Sequence, residues 1–411
     1  MKPTVLIATT SRWFPTARLG MALAKVGFTV DAVCPWRHPI GVATGTRRTY
    51  AFRGLSPIES LVAAITDAHP DLVLPCDDLA VSLLHRLYDR EKRRGQAGTA
   101  ICSLLERSLG TASSFSSVSA RTAFMSLAKE EGVRAPETEV IANIDDLRKF
   151  ATRMGFPIVL KSDGTSGGAG VRIVRTLAAA ERAFRRLQAP PLFARALKRT
   201  LINQDTTLLL PSVLRTRFVV NAQTFVAGHE ATSTVACWEG VVLASLHFEV
   251  ISKLDSTGPS TVLRLINNAD MTVAAERMVR RLGLSGVVGF DFMLDSQTGN
   301  AHLVEMNPRA TQVGHLPLGR GHDLPAALYA AVTGETICES PKITENDTVA
   351  LFPHEWLRSP ESPFLQSGYH DVPWEEAEFI RVCVGTRRKR SALYSHRKQA
   401  QALAPARLPR Q

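Results

Sequence analysis

The chain has 411 residues and a mass of 44.8 kDa, which is long enough for two or three domains with cores of their own. Apolar residues make up 45% and charged residues 21%, so the composition excludes a disordered chain, a collagen and a disulfide scaffold. No apolar run reaches the roughly 18 residues that a membrane span needs. The short apolar stretch Val5–Ala8 predicts a first buried strand rather than a secretory signal.

Positive charge is concentrated at the C-terminus. Lys and Arg number 49 and Asp and Glu 38, so the net charge is 49 − 38 = +11, and residues 387–411 supply eight positive side chains and no acid. The rest of the chain is close to neutral, so it is not expected to bind nucleic acid. The tail itself is either a solvated terminus or a contact for nucleic acid, anionic lipid or an acidic partner.

The six cysteines do not form a metal-binding or disulfide pattern. None lies in a C-x-x-C pair, and their spacings match no zinc site. They are typical of small buried side chains in a reducing compartment, which predicts a cytoplasmic protein.

Residues 1–110 alternate between short apolar runs and helical patterns. This alternation predicts βαβ units and a Rossmann-like parallel sheet, with ligands at the carboxyl ends of its strands. No G-x-G-x-x-G follows the first strand, so a dinucleotide site is not supported. The expected elements are strands at Val5–Ala8, Phe28–Val33 and Asp71–Pro75, and helices at Thr16–Val26 and Pro57–Ala68.

A serine-rich stretch, 111–117, predicts a break and a domain boundary. Helices are expected at 119–131 and 270–282. The runs 287–294 and 301–306 predict a hairpin around the turn at 295–300. After about residue 340 the chain is rich in Pro and Trp, and its pattern predicts no element.

A glycine-rich loop, Lys161–Gly170, connects the predicted strands Ile158–Lys161 and Val171–Val174. Its glycines and hydroxyls suit a backbone that folds closely over phosphates, and the Lys161 ammonium can meet a phosphate beneath the loop. The alternative is a flexible hairpin tip. A Walker A loop is excluded, because no G-K-[ST] ends the segment and no helix follows.

The predicted hairpin carries a set of hard oxygen ligands. Glu305 and Asn307 are two apart on a strand and therefore share a face, and Asp291 on the neighbouring strand can join them. These groups suit Mg²⁺ that bridges nucleotide phosphates, and Arg309 suits a transferring phosphoryl group. The alternative, a solvated hairpin with scattered charges, is disfavoured because Asp291 interrupts an apolar run, where a carboxylate without a partner is costly.

These two elements, in this order, resemble the ATP-grasp superfamily, nearest the carbamoyl-phosphate-synthase and biotin-carboxylase branch, over roughly residues 1–335. The run Glu305–Arg309 is similar to that branch's E-x-N-x-R motif. The resemblance implies an α/β chain, with a Rossmann-like pre-ATP-grasp domain followed by an ATP-grasp fold whose two subdomains clasp the nucleotide. The implied divisions are 1–112 for the first domain, 113–336 for the ATP-grasp domain with its lid at about 155–222, 337–386 for a segment bordering the site, and 387–411 for the basic tail.

The resemblance also implies ATP and Mg²⁺ or Mn²⁺ as cofactors, with two ions. Gln223 lies in the segment that resembles the family's hinge strand, where an acidic residue is usual. Gln312 stands where some members carry a second arginine, which argues against the acyl-phosphate pocket of carbamoyl phosphate synthesis. The implied residues are Arg121, Lys161, Gly167, Gly168, Gln223, Val226 and Glu230 for the nucleotide, Asp291, Glu305 and Asn307 for the metal, and Arg309 and Lys161 for catalysis.

The implied activity is that of an ATP-dependent ligase. It would join a small-molecule carboxylate to an amine or a thiol through an acyl phosphate and release ADP and phosphate. Two alternatives stay open, an ATP-dependent small-molecule kinase on the same fold and a non-catalytic nucleotide-binding protein with a basic interaction tail. The resemblance also leaves a homodimer open.

Overall fold

The structure is a computed structural model that describes residues 2–163, 170–190, 212–215, 217–255, 258–336 and 341–385. Gly167, Gly168 and the basic tail 387–411 lie outside the described residues. The described strands are β1 (Thr4–Ala8), β2 (Thr29–Cys34), β3 (Thr46–Ala51), β4 (Leu72–Pro75), β5 (Thr138–Ile141), β6 (Ile158–Ser162), β7 (Val171–Val174), β8 (Val220–Thr224), β9 (Gly228–Trp238), β10 (Val241–Lys253), β11 (Ser260–Leu265), β12 (Gly286–Asp295), β13 (Ala301–Asn307), β14 (Thr348–Ala350) and β15 (Tyr369–His370).

In the first part of the chain α-helices lie where the sequence predicts them. Two short helices also form after residue 340, where no element was predicted. The described α-helices are α1 (Phe14–Val26), α2 (Pro57–Ala68), α3 (Asp78–Arg93), α4 (Thr99–Leu109), α5 (Phe115–Ser119), α6 (Arg121–Glu130), α7 (Ile144–Met154), α8 (Leu177–Gln188), α9 (Ala269–Leu282), α10 (Leu324–Thr333), α11 (His354–Arg358) and α12 (Phe364–Ser367). No described helix has both the length and the apolar character to cross a membrane.

The first sheet is parallel, with strand order β3-β2-β1-β4. Every residue of the central strand β1 and of the edge strand β4 is buried, as expected where a parallel sheet is covered on both faces. Helix α2 begins at Pro57, whose fixed φ suits a first helical position, and packs the apolar side chains of Ile58, Leu61 and Ile65 into the core. The expected βαβ architecture and parallel sheet are confirmed.

The second sheet is small and antiparallel, in the order β5-β8-β6-β7. Helices α7 and α8 contribute to its core, with Phe150 and Phe184 packing beside Leu160 of β6. The third sheet has seven strands in the order β13-β12-β9-β10-β11-β14-β15. Its strands β12 and β13 form the expected hairpin, and helix α9 covers one face through Met271, Met278 and other buried side chains.

The segment after residue 340 extends the large sheet. Strand β14 pairs with β11, and β15 adds to β14 in parallel. The segment then reaches helix α1, where Phe379 packs edge-on against Phe14 and Asp371 pairs with Arg18. The Thr44 backbone N–H also donates to Glu376 at 3.0 Å. This segment therefore joins the large sheet to the face of the first sheet that α1 covers.

The serine-rich stretch is more ordered than the sequence suggested. It forms a short 3-10 turn at Ala112–Ser114 and then helix α5, whose Phe115 ring stacks on His85 at 4.1 Å. The predicted boundary near residue 112 and the other predicted divisions stay predictions. The five described cysteines are free thiols, four of them buried, and Cys338 lies outside the described residues.

Candidate active site

A lysine spans the gap between the small sheet and the large sheet. Lys161 lies on β6, and its Nζ donates to the carbonyl oxygen of Val304 on β13 at 3.3 Å. The residue is only 7% exposed. The pKa of Lys161 is lowered to about 8, chiefly by burial; the Glu305 charge opposes this change and the Arg121 charge adds to it. A nearly buried ammonium between two sheets is well placed to meet an anionic ligand.

The hairpin brings the three predicted metal ligands together. Asp291 lies directly opposite Glu305 in the β12–β13 register. The Asn307 amide Nδ2 donates to Asp291 Oδ2 at 2.9 Å. Met306, between Glu305 and Asn307, is buried in the core, so the expected alternation of faces is present. The Thr232 hydroxyl on β9 also donates to Asp291 Oδ1 at 2.9 Å, a partner that the sequence argument had not given this carboxylate.

The chemistry of this donor set fits Mg²⁺. Burial raises the pKa of Asp291, the neighbouring Glu305 charge raises it further, and the Asn307 and Thr232 hydrogen bonds oppose the change. Two adjacent, half-buried carboxylates are stabilised by a cation. The described residues contain no cluster of three or more His, Cys, Asp or Glu side chains for a metal. Mg²⁺ commonly uses one or two carboxylates and takes its other ligands from phosphates and water.

A second cation lies against the same hairpin. Arg121 is the first residue of α6, and its Nη2 donates to Glu305 Oε1 at 2.7 Å. Its Nε lies 3.5 Å from Asp163 Oδ1. The Nη1 atom is buried and has no hydrogen-bond partner among the described residues. A buried guanidinium nitrogen left without an acceptor fits a site that receives an anion.

Arg309 connects the hairpin to the first sheet. Its Nη2 donates to Asn307 Oδ1 at 3.1 Å, and its Nε donates to Asp78 Oδ1 at 2.8 Å, just beyond the carboxyl end of β4. The Trp13 ring lies 5.8 Å from the guanidinium carbon. Arg121, Lys161 and Arg309 therefore surround the acidic hairpin, an arrangement that can hold a polyanion together with a divalent cation.

The predicted hinge residues occupy the link between the small and the large sheet. Gln223, near the end of β8, is buried, and its Nε2 donates to Thr138 Oγ1 at 3.0 Å. Val226 is half-buried between β8 and β9. Glu230 on β9 is exposed, forms an ion pair with Lys253 at 2.6 Å, and is close enough to influence Lys161 electrostatically. The roles of these three residues toward a nucleotide stay predictions, as do those of Gly167 and Gly168.

Several polar residues of the site were missed by sequence reasoning. The Asn221 amide on β8 donates to Asp163 Oδ1 at 2.8 Å and accepts from the Thr122 hydroxyl at 2.7 Å. Asn221 is opposite Lys161 in the sheet, which no local pattern reveals. Asp78 had a usable signal, because it follows a predicted strand at the sheet edge where ligands are expected.

The comparisons with known proteins agree with this geometry. Residues 120–316 match the family model "Carbamoyl-phosphate synthase L chain, ATP binding domain". The arginine-specific carbamoyl phosphate synthase large chain of Geobacillus stearothermophilus is 25% identical over 232 residues, covering 56% of this chain and 21% of that protein. The chain thus spans about a fifth of the length of the curated relatives it matches.

Two solved structures share the fold over most of the chain. The beta-gamma-ATP complex of Campylobacter jejuni biotin carboxylase gives a TM-score of 0.58 at 14% identity, covering 82% of this chain and 72% of that one. The biotin carboxylase domain of the Hydrogenobacter thermophilus 2-oxoglutarate carboxylase, solved with MgADP, ADP and bicarbonate, gives 0.57 at 13% identity, covering 82% and 70%.

The family match over residues 120–316 and the shared fold agree with the expected α/β protein of the ATP-grasp type. More particularly, residues 120–316 are similar to an ATP-binding domain of the carbamoyl-phosphate-synthase large-chain type, and this match spans slightly less than half of the chain.

Proposed function

We propose that the chain is an ATP-dependent ligase that joins a small-molecule carboxylate to an amine through an acyl phosphate. One observation carries the proposal: Lys161 and Arg121 converge from the small sheet and α6 on a hairpin that presents Asp291, Glu305 and Asn307. Two oxyanions, a carboxylate and a triphosphate, must be brought together in this reaction, and such a site offsets their repulsion.

ATP binds between the small and the large sheet in this proposal. Lys161 and Arg121 contact the phosphates, and the loop that contains Gly167 and Gly168 covers them. Gln223 and Val226 flank the adenine largely through backbone atoms, and Glu230 reaches the ribose. The unsatisfied Nη1 of Arg121 and the lowered pKa of Lys161 support this placement, because both groups gain from an anionic ligand.

Asp291, Glu305 and Asn307 would hold Mg²⁺, or Mn²⁺ in its place, with two ions in the loaded site. A metal held there would supply positive charge that offsets the negative charge of the phosphates. Asn307 is held by its hydrogen bond to Asp291, and Thr232 fixes the other oxygen of that carboxylate, so this chain supplies preoriented ligands.

The reaction follows from charge placement. A carboxylate oxygen of the substrate attacks the γ-phosphorus, the bond to the β,γ-bridging oxygen breaks, and ADP leaves. Arg309, anchored by Asp78, stabilises charge on the transferring phosphoryl group. An amine then attacks the acyl carbon, phosphate leaves with the C–O electron pair, and the amine loses a proton to give the amide. A thiol acceptor would give a thioester by the same steps.

The wider organisation forms part of the proposal. The first domain spans 1–112 and the ATP-grasp domain 113–336, with 155–222 as a lid that excludes water from the acyl phosphate. The segment 337–386 borders the site, and 387–411 is the basic tail. A reducing cytoplasm suits the free thiols, and a homodimer is compatible with the proposal.

The test is ADP release from MgATP with pools of carboxylates and amines. Release that requires both a carboxylate and an amine is expected. Release that needs the carboxylate alone and yields a stable phosphorylated product would instead identify a kinase, and the absence of any release would favour a non-catalytic nucleotide-binding protein.

Matched variants connect that activity to the site. Lys161→Ala and Glu305→Ala are each expected to abolish ADP release while the protein stays folded. Lys149→Ala and Glu276→Ala change the same residue types at exposed positions on α7 and α9 and should retain activity. Wild-type turnover in either site variant would contradict the assignment.

A further inference from the structure

Two arginines lie together where β1 and β2 end, outside the site described above. Arg12 follows β1 and Arg37 follows β2, and the Arg12 Nη2 donates to the Arg37 carbonyl oxygen at 2.7 Å. The Arg37 guanidinium carbon lies 4.1 Å from the ring centre of Trp36, which is 68% exposed. We call Arg12, Trp36 and Arg37 the strand-end cluster.

The charge of the strand-end cluster is not compensated within the described chain. Neither Arg12 nor Arg37 forms an ion pair with any described carboxylate, whereas Arg47 and Arg48 of the same sheet pair with Asp31 and Asp67. Partial burial lowers the pKa of Arg12, and the Arg37 charge lowers it further. Two adjacent guanidinium groups without an acid are electrostatically unfavourable, and an anionic ligand would relieve that repulsion.

The backbone at Arg37 is also in an unfavourable conformation. Its φ is 57°, in the left-handed region that costs a side chain of this kind free energy and that favours glycine. Residues held in such conformations concentrate at ligand sites, where the surrounding structure imposes them. Here the hydrogen bond from Arg12 holds the Arg37 carbonyl. The backbone conformation of Arg37 therefore indicates a ligand site independently of the uncompensated charge.

The strand-end cluster adjoins the proposed reaction centre. Arg12 is followed directly by Trp13, whose ring lies 5.8 Å from the Arg309 guanidinium carbon. A small cleft next to Trp13 is lined from the first domain by Thr16 and Cys76 and from the segment after the hairpin by Ala310 and Thr311. Trp13 therefore connects the strand-end cluster, through its chain neighbour Arg12, to Arg309.

We propose that Arg12 and Arg37 bind an anionic group, a carboxylate or a phosphate, on the amine substrate, and thereby select acceptors that carry a second charge. The proposal rests on the proposed ligase function, in which the reacting carboxylate lies against Arg309 and leaves the strand-end side to the acceptor. The planar guanidinium groups suit two-point contacts with either anion. Trp36 would provide an apolar surface beside the anion.

The test measures binding without requiring turnover. The probes are malonate and inorganic phosphate, titrated into the full chain with the phosphate site saturated by Mg²⁺ and a non-hydrolysable ATP analogue. Tryptophan fluorescence gives the readout, and Trp36→Phe identifies the signal of the exposed ring. Saturable binding of malonate alone indicates a carboxylate, and saturable binding of phosphate alone indicates a phosphate; either outcome, or binding of both, supports the proposal.

The variants Arg12→Gln and Arg37→Gln should each weaken that binding about tenfold or more. Arg48→Gln, the matched control on β3, should bind as the wild type does. All three positions are exposed, and unchanged melting temperatures would show that a loss of binding is not a loss of folding. The proposal would be overturned if the wild type showed no saturable binding, or if both variants bound the anion as tightly as the wild type does.

The same experiments separate this inference from the ligase proposal. Arginine-dependent anion binding by a protein that never releases ADP would contradict the ligase function and leave the anion site standing. ADP release that is indifferent to Arg12→Gln and Arg37→Gln for every acceptor would contradict the anion site and leave the ligase function standing.

Discussion

The Arg121 guanidinium donates to the Glu305 carboxylate at 2.7 Å, although 184 positions separate the two residues in the chain. Glu305 is also a proposed metal ligand, and Arg121 a proposed phosphate ligand. In the chain without nucleotide, the positive charge of Arg121 and the negative charge of Glu305 therefore neutralise each other. Metal and nucleotide would bind at the expense of this pair, which couples their binding to rearrangement of one salt bridge.

Removing the arginine should change metal and nucleotide binding in opposite directions. Arg121→Met frees Glu305 from a competing cation, so we expect the nucleotide-free protein to bind Mn²⁺ more tightly, by about threefold or more. The same change removes a phosphate ligand and should weaken MgATP binding about 10- to 100-fold. Electron paramagnetic resonance of free Mn²⁺ and calorimetry of nucleotide binding measure the two effects.

Arg185→Met provides the control for that pair of measurements. Arg185 lies on α8, and its side chain is 64% exposed beside Glu181. It should leave both affinities unchanged. Equal Mn²⁺ affinity and equal nucleotide affinity in Arg121→Met would contradict the assigned roles of this arginine and of Glu305.

The pH dependence of nucleotide binding should follow Lys161. Burial lowers the pKa of this ammonium from the usual 10.5 to about 8, so in the nucleotide-free protein the charge is lost as the pH rises through 8. Phosphate favours the charged form, and affinity for MgATP should therefore fall up to about tenfold for each pH unit above 8. Lys161→Met should bind weakly at every pH and lose this dependence, as fluorescence titrations would record.

The same shift has a defined effect on stability. Between pH 8 and 10.5 the unfolded chain binds more protons at Lys161 than the folded chain, so this group's contribution to the free energy of unfolding rises with pH. Below pH 8 the buried ammonium is charged, and the folded state bears the full free-energy cost of removing that charge from water. Lys161→Met should consequently raise the melting temperature at pH 7 in the absence of nucleotide, and a lower melting temperature would argue against the burial of the charge.

Asp77 should be a main determinant of the stability of the parallel sheet. Its carboxylate accepts hydrogen bonds from the Thr9 hydroxyl and from the backbone N–H and hydroxyl of Thr10, and it caps α3 by accepting from the Ala80 N–H. Asp77→Ala leaves buried donors unsatisfied and should lower the free energy of unfolding by about 3 kcal/mol in urea denaturation. The exposed Asp145→Ala change on α7 should leave the unfolding midpoint almost unchanged.

The contact between the segment after residue 340 and helix α1 depends on a buried charge cluster. Asp371 pairs with Arg18, and its other oxygen lies 2.6 Å from His315 Nε2. Burial alone would raise the pKa of Asp371, but His315 and Arg18 outweigh it and hold that pKa below its usual value. Asp371→Asn leaves Arg18 buried without a counter-ion and should cost about 3–5 kcal/mol of unfolding free energy, measured at pH 7.

The pH profile of that variant supplies an independent check. Because the folded-state pKa of Asp371 is depressed, its stabilising contribution is present above the usual carboxylate pKa and is lost as the pH falls through the folded value. The stability difference between the wild type and Asp371→Asn should therefore shrink in acid. A difference that stays constant from neutral pH into acid would contradict this account.

Local sequence patterns were sufficient to predict an element where the residues that define it lie within that element. Helix α2 has the predicted bounds, because a proline at its start and apolar residues at helical spacing define it within twelve residues. The β12–β13 hairpin was predictable for a similar reason, since two apolar runs flank a polar turn. In contrast, β14 has three residues and β15 two, too few for a period, and their pairing with the large sheet defines them.

Contacts between distant residues were beyond the reach of the sequence. The motif predicted that Glu305 and Asn307 share a face, but the Thr232 partner of Asp291 depends on the register of β9 against β12. Arg18 and Asp371 are 353 positions apart, and nothing local to either residue predicts the pair. Such pairs arise because whole helices and strands pack against each other. A single sequence does not specify that packing.

The most direct test of the central claim is a crystal structure of the full chain with Mg²⁺ and a non-hydrolysable ATP analogue. The account predicts metal coordinated by oxygens of Asp291, Glu305 and Asn307, with Lys161 within hydrogen-bonding distance of a phosphate. A nucleotide bound away from the hairpin, or a metal that none of these three side chains contacts, would contradict it.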